Sequence, residues 1–406
     1  MHVLIVTQYF WPENFRINDL VSGLHDRGHR VTVLTGHPNY PSGQFTHGYD
    51  GRRVAEEQYE GIRVVRVPLL PRGQGSGVRL FLNYLSFAVS ASVLGPRLLR
   101  EAYDVIFVYE PSPMTVGYPA MVMKRRTRRP IVFYIQDLWP ESLSATGFVT
   151  HPWALRAVEW MVRGIYRACD RILVTSRAFI PRVERLGVPA RRIAYYPQYA
   201  EGFYRPLAPD LDWARAQGVQ AGFTVMFAGN MGLAQDLSTV LDAAEMLRDR
   251  DINWVFVGDG SVRANLEQQA RERQLDRVAF LGSHPAEQMP RFFAQADALL
   301  VSLTRDELFA LTVPAKLQSY LASGRPVLAS LAGEGAQIVE EAGAGLSCAP
   351  QDARALADAV TRLHETPPEE RAEMGRRGRA YFEAHFERER LLTELEALLA
   401  EAGGAR

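Results

Sequence analysis

The sequence predicts an α/β protein built from two doubly wound parallel-sheet domains in tandem. The chain has 406 residues, which exceeds what one hydrophobic core commonly holds, so two domains of about 200 residues each are expected. Short apolar runs alternate with helical patterns, and a second such series begins after a proline-containing segment. Strands that are apolar throughout and separated by helices indicate a parallel sheet covered on both faces.

The first half contains six predicted strands. Each is apolar almost throughout, and a helical or loop segment separates it from the next. The first two are joined by an amphipathic helix that Gly28 closes. The strands are HVLIVTQYF at 2–10, RVTVLTG at 30–36, IRVVRVP at 62–68, DVIFVYE at 104–110, PIVFYIQ at 130–136 and RILVTS at 171–176.

The second half repeats this pattern after a connection. Segment 197–222 contains three prolines and no sustained periodicity, which is typical of a link between domains. The terminal stretch 379–402 predicts one or two helices with a charged, solvated face. Predicted strands follow the link at 223–230, 252–260, 278–283, 296–302 and 325–330. We place the domains at 1–200 and 201–374, with terminal helices at 375–406.

Composition excludes some classes of function. Basic and acidic residues number 46 each, so the formal charge is zero. A protein whose main partner is nucleic acid needs a strongly basic face, and we therefore expect no nucleic-acid partner. Cys169 and Cys348 match no metal-ligand spacing. Together with the lack of a visible secretory signal, they favour a cytoplasmic location.

The longest apolar run, LFLNYLSFAVSASVL at 80–94, is bracketed by Arg79, Arg97 and Arg100. It is shorter than the roughly 18 apolar residues that a spanning helix needs. Two alternatives remain open, a helix of the core and a helix that lies in a membrane interface. The basic stretch KRRTRR at 124–129 would either add attraction to an anionic inner-membrane surface or form a solvated turn.

Two strand ends of the second half carry glycines, in AGNMGLAQDL at 228–237 and VGDGSVRANL at 257–266. In open α/β sheets, ligands bind beyond the carboxyl ends of the strands. Glycine lets backbone N–H groups approach a phosphate, and the N-terminus of the next helix adds partial positive charge. An ordinary tight turn would use glycines as well. The candidate nucleotide-binding residues are Gly229, Asn230, Gly232, Gln235, Gly258, Asp259 and Gly260.

Lys316 is a further phosphate-binding candidate. It lies in the first turn of a predicted helix that begins near Pro314, a position that proline favours. A lysine there opposes the helix dipole unless an anion is bound. A solvated lysine is the alternative.

The strand ends of the first half combine polar and aromatic residues. QDLWPES at 136–142 follows one strand, YFWPENFRIND follows the first and GHPNYPSG follows the second. Aromatic rings beside carboxylates and amides suit sugars, which present hydroxyls at the edge and C–H groups on the face. A packed turn is the alternative. The candidates are Asp137 and Glu141 for positioning a reacting hydroxyl, and Glu13, Arg16, Asn18, Asn39 and Trp139 for sugar binding.

Taken together, these motifs resemble the family 4 retaining glycosyltransferases over nearly the whole chain. The resemblance is closest to the bacterial subgroup of colanic acid and N-acetyl-L-fucosamine transferases. It rests on YFWPENFRINDL, GHRVTVLTGHPNYPSG, QDLWPES, GNMGLAQDL, VGDG and TVPAKLQSYLASGRPVLA. It implies a GT-B fold, in which two Rossmann-like domains face a cleft, the first binds the acceptor and the second binds the nucleotide sugar. A final helix would cross back to the first domain.

The chain departs from the pattern of that family at three positions. The family commonly carries two glutamates with seven residues between them that handle the donor sugar and the ribose, and these positions fall on Leu311 and Ser319. Either these carboxylates are absent or Glu307 stands in for one of them. The usual basic residue after the glycine turn is Gln235 here. The cations left to balance the diphosphate are Lys316 together with Arg16 or Arg305.

The resemblance implies a metal-independent, retaining hexosyltransferase with no cofactor. It would move a sugar, expected to be N-acetylated, from a UDP-sugar to a lipid-linked or saccharide acceptor in O-antigen or exopolysaccharide biosynthesis, peripherally on the inner face of the plasma membrane. No paired nucleophile is evident, so same-face attack is expected, with the leaving phosphate helping to deprotonate the acceptor. Carboxylate pairs at 210–212 and 249–251 lie in the link and at a helix end, which does not indicate a metal site. The alternatives are a UDP-sugar epimerase and a non-catalytic component of a polysaccharide assembly complex.

Overall fold

The computed structural model describes residues 1–73, 77–145 and 151–404. Its contacts divide the chain into two compact units. Unit 1 comprises Met1–Tyr196 and Leu391–Arg406, and unit 2 comprises Pro197–Arg390. The division after Tyr196 lies close to the boundary at 200 that the sequence predicts.

Within the described residues, unit 1 has one eight-stranded sheet in the order β3-β4-β2-β1-β5-β6-β7-β8. Neighbouring strands are parallel except for β3 and β4, which are antiparallel. Every residue of β1, β5 and β6 is buried, which explains why these strands are apolar throughout. The strands are β1 (His2–Val6), β2 (Arg30–Gly36), β3 (Ala55–Tyr59), β4 (Ile62–Val67), β5 (Val105–Glu110), β6 (Ile131–Ile135), β7 (Arg171–Val174) and β8 (Ile193–Tyr195).

The sequence did not predict β3 or β8. The β3 sequence is AEEQY, in which partly buried and exposed residues alternate. Charged residues are typical of an edge strand, which must avoid pairing with other chains, and they hide the apolar signal of a strand. The helices of this part of the chain are α1 (Ile17–Asp26), α2 (Gly77–Leu98), α3 (Gly117–Thr127), α4 (Glu141–Ala145), α5 (Pro152–Ala168) and α6 (Ile180–Arg185).

The described residues of unit 2 form a six-stranded parallel sheet in the order β11-β10-β9-β12-β13-β14. This is the order of a doubly wound nucleotide-binding fold, which reverses direction between β9 and β12. The carboxyl ends of these two strands therefore flank a crevice where such folds bind ligands. The strands are β9 (Phe223–Ala228), β10 (Ile252–Val257), β11 (Val278–Gly282), β12 (Ala298–Ser302), β13 (Val327–Ser330) and β14 (Gly345–Cys348).

Alternate residues of the unit 2 strands enter two hydrophobic clusters. Met226 and Ala228 belong to one cluster, whereas Val225 and Phe227 belong to the other. Both faces of the sheet are thus covered by helices, as the apolar strands predict. The helices are α7 (Leu211–Ala216), α8 (Leu237–Met246), α9 (Arg263–Glu272), α10 (Met289–Phe293), α11 (Glu307–Leu311), α12 (Ala315–Ala322), α13 (Glu334–Glu341), α14 (Ala353–Glu365) and α15 (Pro368–His385).

The last helix, α16 (Arg388–Gly403), returns to unit 1. The Tyr196 hydroxyl donates to the Leu391 carbonyl oxygen at 3.0 Å. Glu396 accepts from Arg27 Nη1 at 2.6 Å and contacts His29 Nε2 at 2.7 Å. The predicted fold class, two parallel-sheet α/β domains with a returning C-terminal helix, is confirmed. The return begins at Leu391, later than the predicted 375, because α15 packs within unit 2; residues 405–406 lie outside the described chain.

Helix α2 contains the apolar run that the sequence left open. Its buried residues, including Leu80, Phe87 and Ala91, face the sheet, while Phe81 and Val89 on its other side are 61% and 54% exposed. Among the described residues it is the one helix that is long and apolar enough to cross a membrane. Length and composition alone are weak evidence for a membrane span. The two alternatives were a core helix and a helix in a membrane interface, and α2 has a feature of each. One of its faces packs in the core, and the other exposes an apolar strip.

Candidate functional site

Two glycine turns of unit 2 pack against each other at the carboxyl ends of β9 and β10. Gly229 and Gly258 adopt φ values of 132° and 134°, which favour glycine. A Cβ on Gly258 would lie 2.0 Å from the Gly229 carbonyl oxygen, and a Cβ on Gly260 would lie 2.4 Å from the Met231 oxygen. Met231 N also donates to the Asp259 carbonyl oxygen at 2.8 Å. The structure thus joins the two predicted glycine motifs into one backbone surface.

Lys316 lies beside this surface, in the first turn of α12. Pro314 directly precedes the helix. Lys316 Nζ donates to Gln235 Oε1 at 2.6 Å and lies 3.8 Å from the centroid of the Phe227 ring. It is also 3.5 Å from the position of a Cβ on Gly229. The structure therefore brings Lys316, Gln235 and the first glycine turn together, as the sequence predicts.

The charge of Lys316 is not balanced within the described part of the chain, where no carboxylate lies within ion-pair distance of its ammonium group. Burial lowers the pKa of Lys316 to about 7. A partly buried ammonium group without a counter-ion is costly, and an anion bound at the glycine surface would offset that cost. The site can therefore hold a phosphate group.

A small cavity of about 220 Å³ lies beyond β12 and β13. Glu307 and Arg305 line it, and the Thr304 N–H donates to the Ala234 carbonyl oxygen at 2.9 Å, next to the first glycine turn. The Arg305 guanidinium donates to the Pro350 carbonyl oxygen at 3.2 Å. Glu307, predicted as a possible substitute for one of the absent glutamates, therefore lines this cavity.

The positions of the missing glutamates differ in environment. Leu311 ends α11, whereas Ser319 is buried inside α12. Among the carboxylate pairs at 210–212 and 249–251, Asp210 caps α7 by accepting from Trp213 N at 3.1 Å and pairs with Arg291 at 2.8 Å. The described residues contain no group of three or more metal-ligating side chains.

In unit 1, Asp137 follows β6 and contacts the separate loop that follows β5. The Ser112 hydroxyl donates to Asp137 Oδ2 at 2.8 Å, and Trp139 Nε1 donates to the same Ser112 oxygen at 3.1 Å. Ser112 N donates to Oε1 of Glu110 at 2.9 Å. Asp137 and Trp139 are thus linked through Ser112, and Trp139, which is only 6% exposed, supports the loop.

Glu110 is a buried carboxyl that the sequence analysis missed. It ends β5 and is fully buried. Burial, followed by the charge of Asp137, raises its pKa well above the usual range, and burial also raises the pKa of Asp137. Two carboxyls that repel each other in a buried site retain a proton at higher pH. The signal available was the glutamate at the end of an otherwise apolar strand.

Glu141 begins α4, a helix of five residues. Its Oε2 atom is buried and has no hydrogen-bond partner among the described residues. The structure gives no contact between Glu141 and Asp137, so the two predicted carboxyls do not form a direct pair.

Three predicted sugar-binding residues instead hold the loops together. Glu13 is buried, and its Oε1 accepts from the backbone N–H groups of Asn39 and Tyr40, both at 2.7 Å. Burial raises the pKa of Glu13 to about 7 against the effect of these donors. Asn18 bridges Trp11 N at 2.9 Å and the Glu13 carbonyl oxygen at 2.7 Å. These polar atoms of Glu13 and Asn18 therefore already have hydrogen-bond partners within unit 1.

Asn39 is also 1% exposed, and it accepts from Arg72 N at 3.0 Å. Arg16 immediately precedes α1. Burial raises the pKa of Tyr134 of β6, and the charge of Arg16 opposes that rise. Sequence reasoning missed Arg72, which follows β4 and lies over the Tyr40 ring at 5.3 Å. Its position after a strand end was the available signal.

Comparisons with known proteins show sequence similarity over both units. A family model described as a glycosyl transferase 4-like domain matches residues 14–198, and one described as glycosyl transferases group 1 matches residues 222–366. WcaI of Escherichia coli K12, named for glycosyl transfer in colanic acid biosynthesis, is 27% identical over 338 residues, which cover 80% of this chain and 82% of WcaI.

Solved structures share the fold at lower identity. Sucrose-phosphate synthase from Thermosynechococcus elongatus has a TM-score of 0.73 and 19% identity, covering 100% of this chain and 99% of that one. Anabaena HepE in complex with UDP has a TM-score of 0.74 and 16% identity, covering 99% and 100%. These similarities concern the fold alone.

Proposed function

Because the chain belongs to the family 4 glycosyltransferases of GT-B fold, we propose that it transfers a sugar from a UDP-sugar to a lipid-linked or saccharide acceptor in bacterial surface polysaccharide biosynthesis. The transferred sugar is N-acetylated, and its anomeric configuration is retained. Unit 2 binds the donor and unit 1 binds the acceptor. WcaI, a relative of similar length, is named for the same kind of pathway.

The observation that carries the donor assignment is the uncompensated ammonium group of Lys316 beside the paired glycine turns. We assign the diphosphate to the backbone of the turns that contain Gly229, Gly232 and Gly258, and Lys316 supplies the positive charge. Glu307 would contact the donor sugar or the ribose from the cavity beyond β12. HepE, a protein of the same fold, has been crystallised with UDP.

We assign the stabilisation of the leaving diphosphate to cations and oriented N–H groups of the protein. The bond between the anomeric carbon and the diphosphate oxygen would break while the acceptor oxygen bonds to that carbon on the same face, and the leaving phosphate would take the proton of the acceptor hydroxyl. Asp137 positions that hydroxyl from unit 1 as a hydrogen-bonding partner, and burial raises the pKa of its carboxyl. Glu141 orients the reacting end from the start of α4.

We also propose that unit 1 binds the acceptor at a membrane surface. Helix α3 packs against both α2 and α5, so the three helices form one layer of unit 1. Besides the apolar strip of α2, this layer exposes Trp153 and Trp160 of α5 to 70% and 78%. Tryptophan favours membrane interfaces, and the basic stretch 124–129 at the end of α3 complements anionic lipid. The layer would place unit 1 on the inner membrane face.

Sedimentation with vesicles tests the membrane assignment. We expect binding to anionic vesicles that weakens at high salt, because surface electrostatics are screened. Changing the basic stretch to glutamine at Arg125, Arg126, Arg128 and Arg129 should weaken binding further. A matched variant with Arg205, Arg271, Arg354 and Arg376 changed to glutamine, all exposed on unit 2, should bind like the wild type. No sedimentation at low salt would refute the assignment.

A donor screen tests the reaction itself. UDP release from UDP-sugars is measured with and without a lipid-linked saccharide. Release that requires the acceptor supports transfer. The appearance of a second epimer from UDP-N-acetylglucosamine alone would instead support the epimerase, and no turnover of any donor with UDP bound would support a non-catalytic component.

A further inference from the structure

We infer that Arg72, with the hydroxyl groups of Tyr9, Tyr40 and Tyr84, binds a phosphate or diphosphate group of the acceptor. This inference rests on the proposed function and names the chemical class of the acceptor. It assigns a role to a residue that neither the strand-end motifs nor the family resemblance identified.

Arg72 is held in place by contacts from two strand ends. It lies between β4 and α2, and its backbone N–H donates to Asn39 Oδ1 at 3.0 Å. Its guanidinium Nη1 donates to the Tyr9 hydroxyl at 3.1 Å, and its Cζ atom lies 5.3 Å from the centroid of the Tyr40 ring. The Tyr9 and Tyr40 rings are 5.9 Å apart. The guanidinium is therefore oriented before any ligand arrives, which lowers the entropy cost of binding.

Within the residues that the structure describes, the charge of Arg72 has no partner of opposite sign. In the described chain no carboxylate lies within ion-pair distance of its guanidinium, and residues 74–76, which lie outside the description, contain none. Burial raises the pKa values of Tyr9 and Tyr84, so their hydroxyls stay neutral. By contrast, the buried Arg66 pairs with Glu57 at 2.5 Å. A half-buried cation without a counter-ion is a ready anion site.

The composition of the cluster favours phosphate over carboxylate. Tyr9 and Tyr84 share a side-chain hydrogen bond, which uses the proton of one of the two hydroxyls. The guanidinium, the other of these hydroxyls and the Tyr40 hydroxyl can donate to the oxygens of one phosphate, which offers more acceptors than a carboxylate. Arginine also matches phosphate geometry through paired N–H groups.

The position of the cluster favours an acceptor group. Tyr9, Tyr40 and Arg72 follow β1, β2 and β4, at the sheet edge where α/β folds bind ligands. Besides burial and Arg72, the charges of Asp137 and Glu110 act on the pKa of Tyr84. A phosphate at Arg72 therefore lies near the carboxyl that we assign to the acceptor hydroxyl.

Exposed apolar side chains of helix α2 lie beside this site and favour an acceptor that carries a lipid. Tyr84 belongs to the cluster, whereas Phe81 and Leu85, its neighbours on the helix, are 61% and 43% exposed. A lipid-borne diphosphate at Arg72 would have its chain beside this apolar strip. A soluble sugar phosphate would contact the same Arg72 guanidinium but not the apolar strip of α2. Transfer assays with lipid-linked and soluble acceptors separate the two.

Calorimetry with inorganic pyrophosphate, in the presence of saturating UDP to block unit 2, tests the site directly. We expect wild-type binding that weakens about tenfold to a hundredfold in Arg72→Met, the range of a lost charge-assisted contact. Arg52→Met, an identical change at an exposed arginine of the same unit, should bind pyrophosphate like the wild type. UDP affinity should be unchanged in both variants.

Transfer assays identify the source of the phosphate. Arg72→Met should raise KM for a saccharide diphosphate but not for the same saccharide without phosphate. A wild-type KM lower for the polyprenyl ester than for the methyl ester assigns the site to a lipid-borne diphosphate, and equal KM values assign it to a soluble one.

Equal pyrophosphate affinity in the wild type and a folded Arg72→Met variant, or no wild-type binding, would overturn the inference. If Arg72→Met does not fold, Tyr84→Phe removes one hydroxyl, keeps the ring and supplies the same comparison. A failure of the proposed donor function is distinguishable from a failure of the Arg72 site, because the wild type would then bind no UDP.

Discussion

Replacement of Lys316 by alanine probes the donor site most directly. The change removes the ammonium group that donates to Gln235 Oε1 and lies over the Phe227 ring. The chain contains one other lysine, Lys124, which pairs with Asp170 at 2.5 Å in unit 1. Lys124→Ala is therefore a matched control.

The expected loss follows from the contact that Lys316 would make. A charge-assisted hydrogen bond to a diphosphate contributes about 1–3 kcal/mol, so the dissociation constant for UDP should rise about 5-fold to 150-fold. Deletion also removes an ammonium group whose pKa burial has lowered to about 7. That shift penalises the folded state most at and below about pH 7, so Lys316→Ala should not lower the free energy of unfolding in that range.

The same pKa predicts a pH dependence with a definite sign. A bound diphosphate favours the protonated lysine and raises its pKa, so binding above pH 7 takes up a proton. Wild-type affinity for UDP should fall as pH rises above about 7, by up to about tenfold per pH unit. Lys316→Ala should flatten this dependence, whereas Lys124→Ala should keep it.

Calorimetry with UDP between pH 6 and 9 measures both effects. Amine-selective labelling gives an independent readout, because an amine with a pKa of about 7 is largely deprotonated and reactive near neutrality. Lys316 should react faster than Lys124, and UDP should protect it. Unchanged UDP affinity in a folded Lys316→Ala variant, with the same pH profile as the wild type, would refute the assignment.

Three further predictions concern the two units. Gly258→Ala places a Cβ 2.0 Å from the Gly229 oxygen and should abolish UDP binding, which calorimetry on the folded fraction measures; normal affinity would contradict the paired-turn site. Asp137→Asn and Glu141→Gln should each keep UDP affinity but lose transfer, and near-wild-type turnover would make that carboxyl structural. Glu13 has its pKa raised to about 7 by burial, so the folded state holds a proton that the unfolded state releases, and the free energy of unfolding should fall between about pH 4.5 and 7. Glu13→Gln should flatten that slope by up to about 3 kcal/mol in urea titrations, and an unchanged slope would place the titration elsewhere.

Sequence alone determined the features that depend on local pattern. Strands buried on both faces must be apolar throughout, so β1, β5 and β6 could be read directly. The glycine turns could be read because tight backbone geometry restricts residue type, and Lys316 because a lysine in a first helical turn needs an anion. These signals lie within a few residues of each other along the chain.

Tertiary structure decided which polar side chains are free to act, because their partners are distant in sequence. Glu13 and Asn39 look like sugar ligands until their oxygens are found bonded to backbone N–H groups across two loops. Arg72 looks like a solvated loop arginine until its tyrosine partners and missing counter-ion are known. The role of a polar group depends on whether the fold has already satisfied its hydrogen bonds and charge, and only the assembled sheet edge determines that.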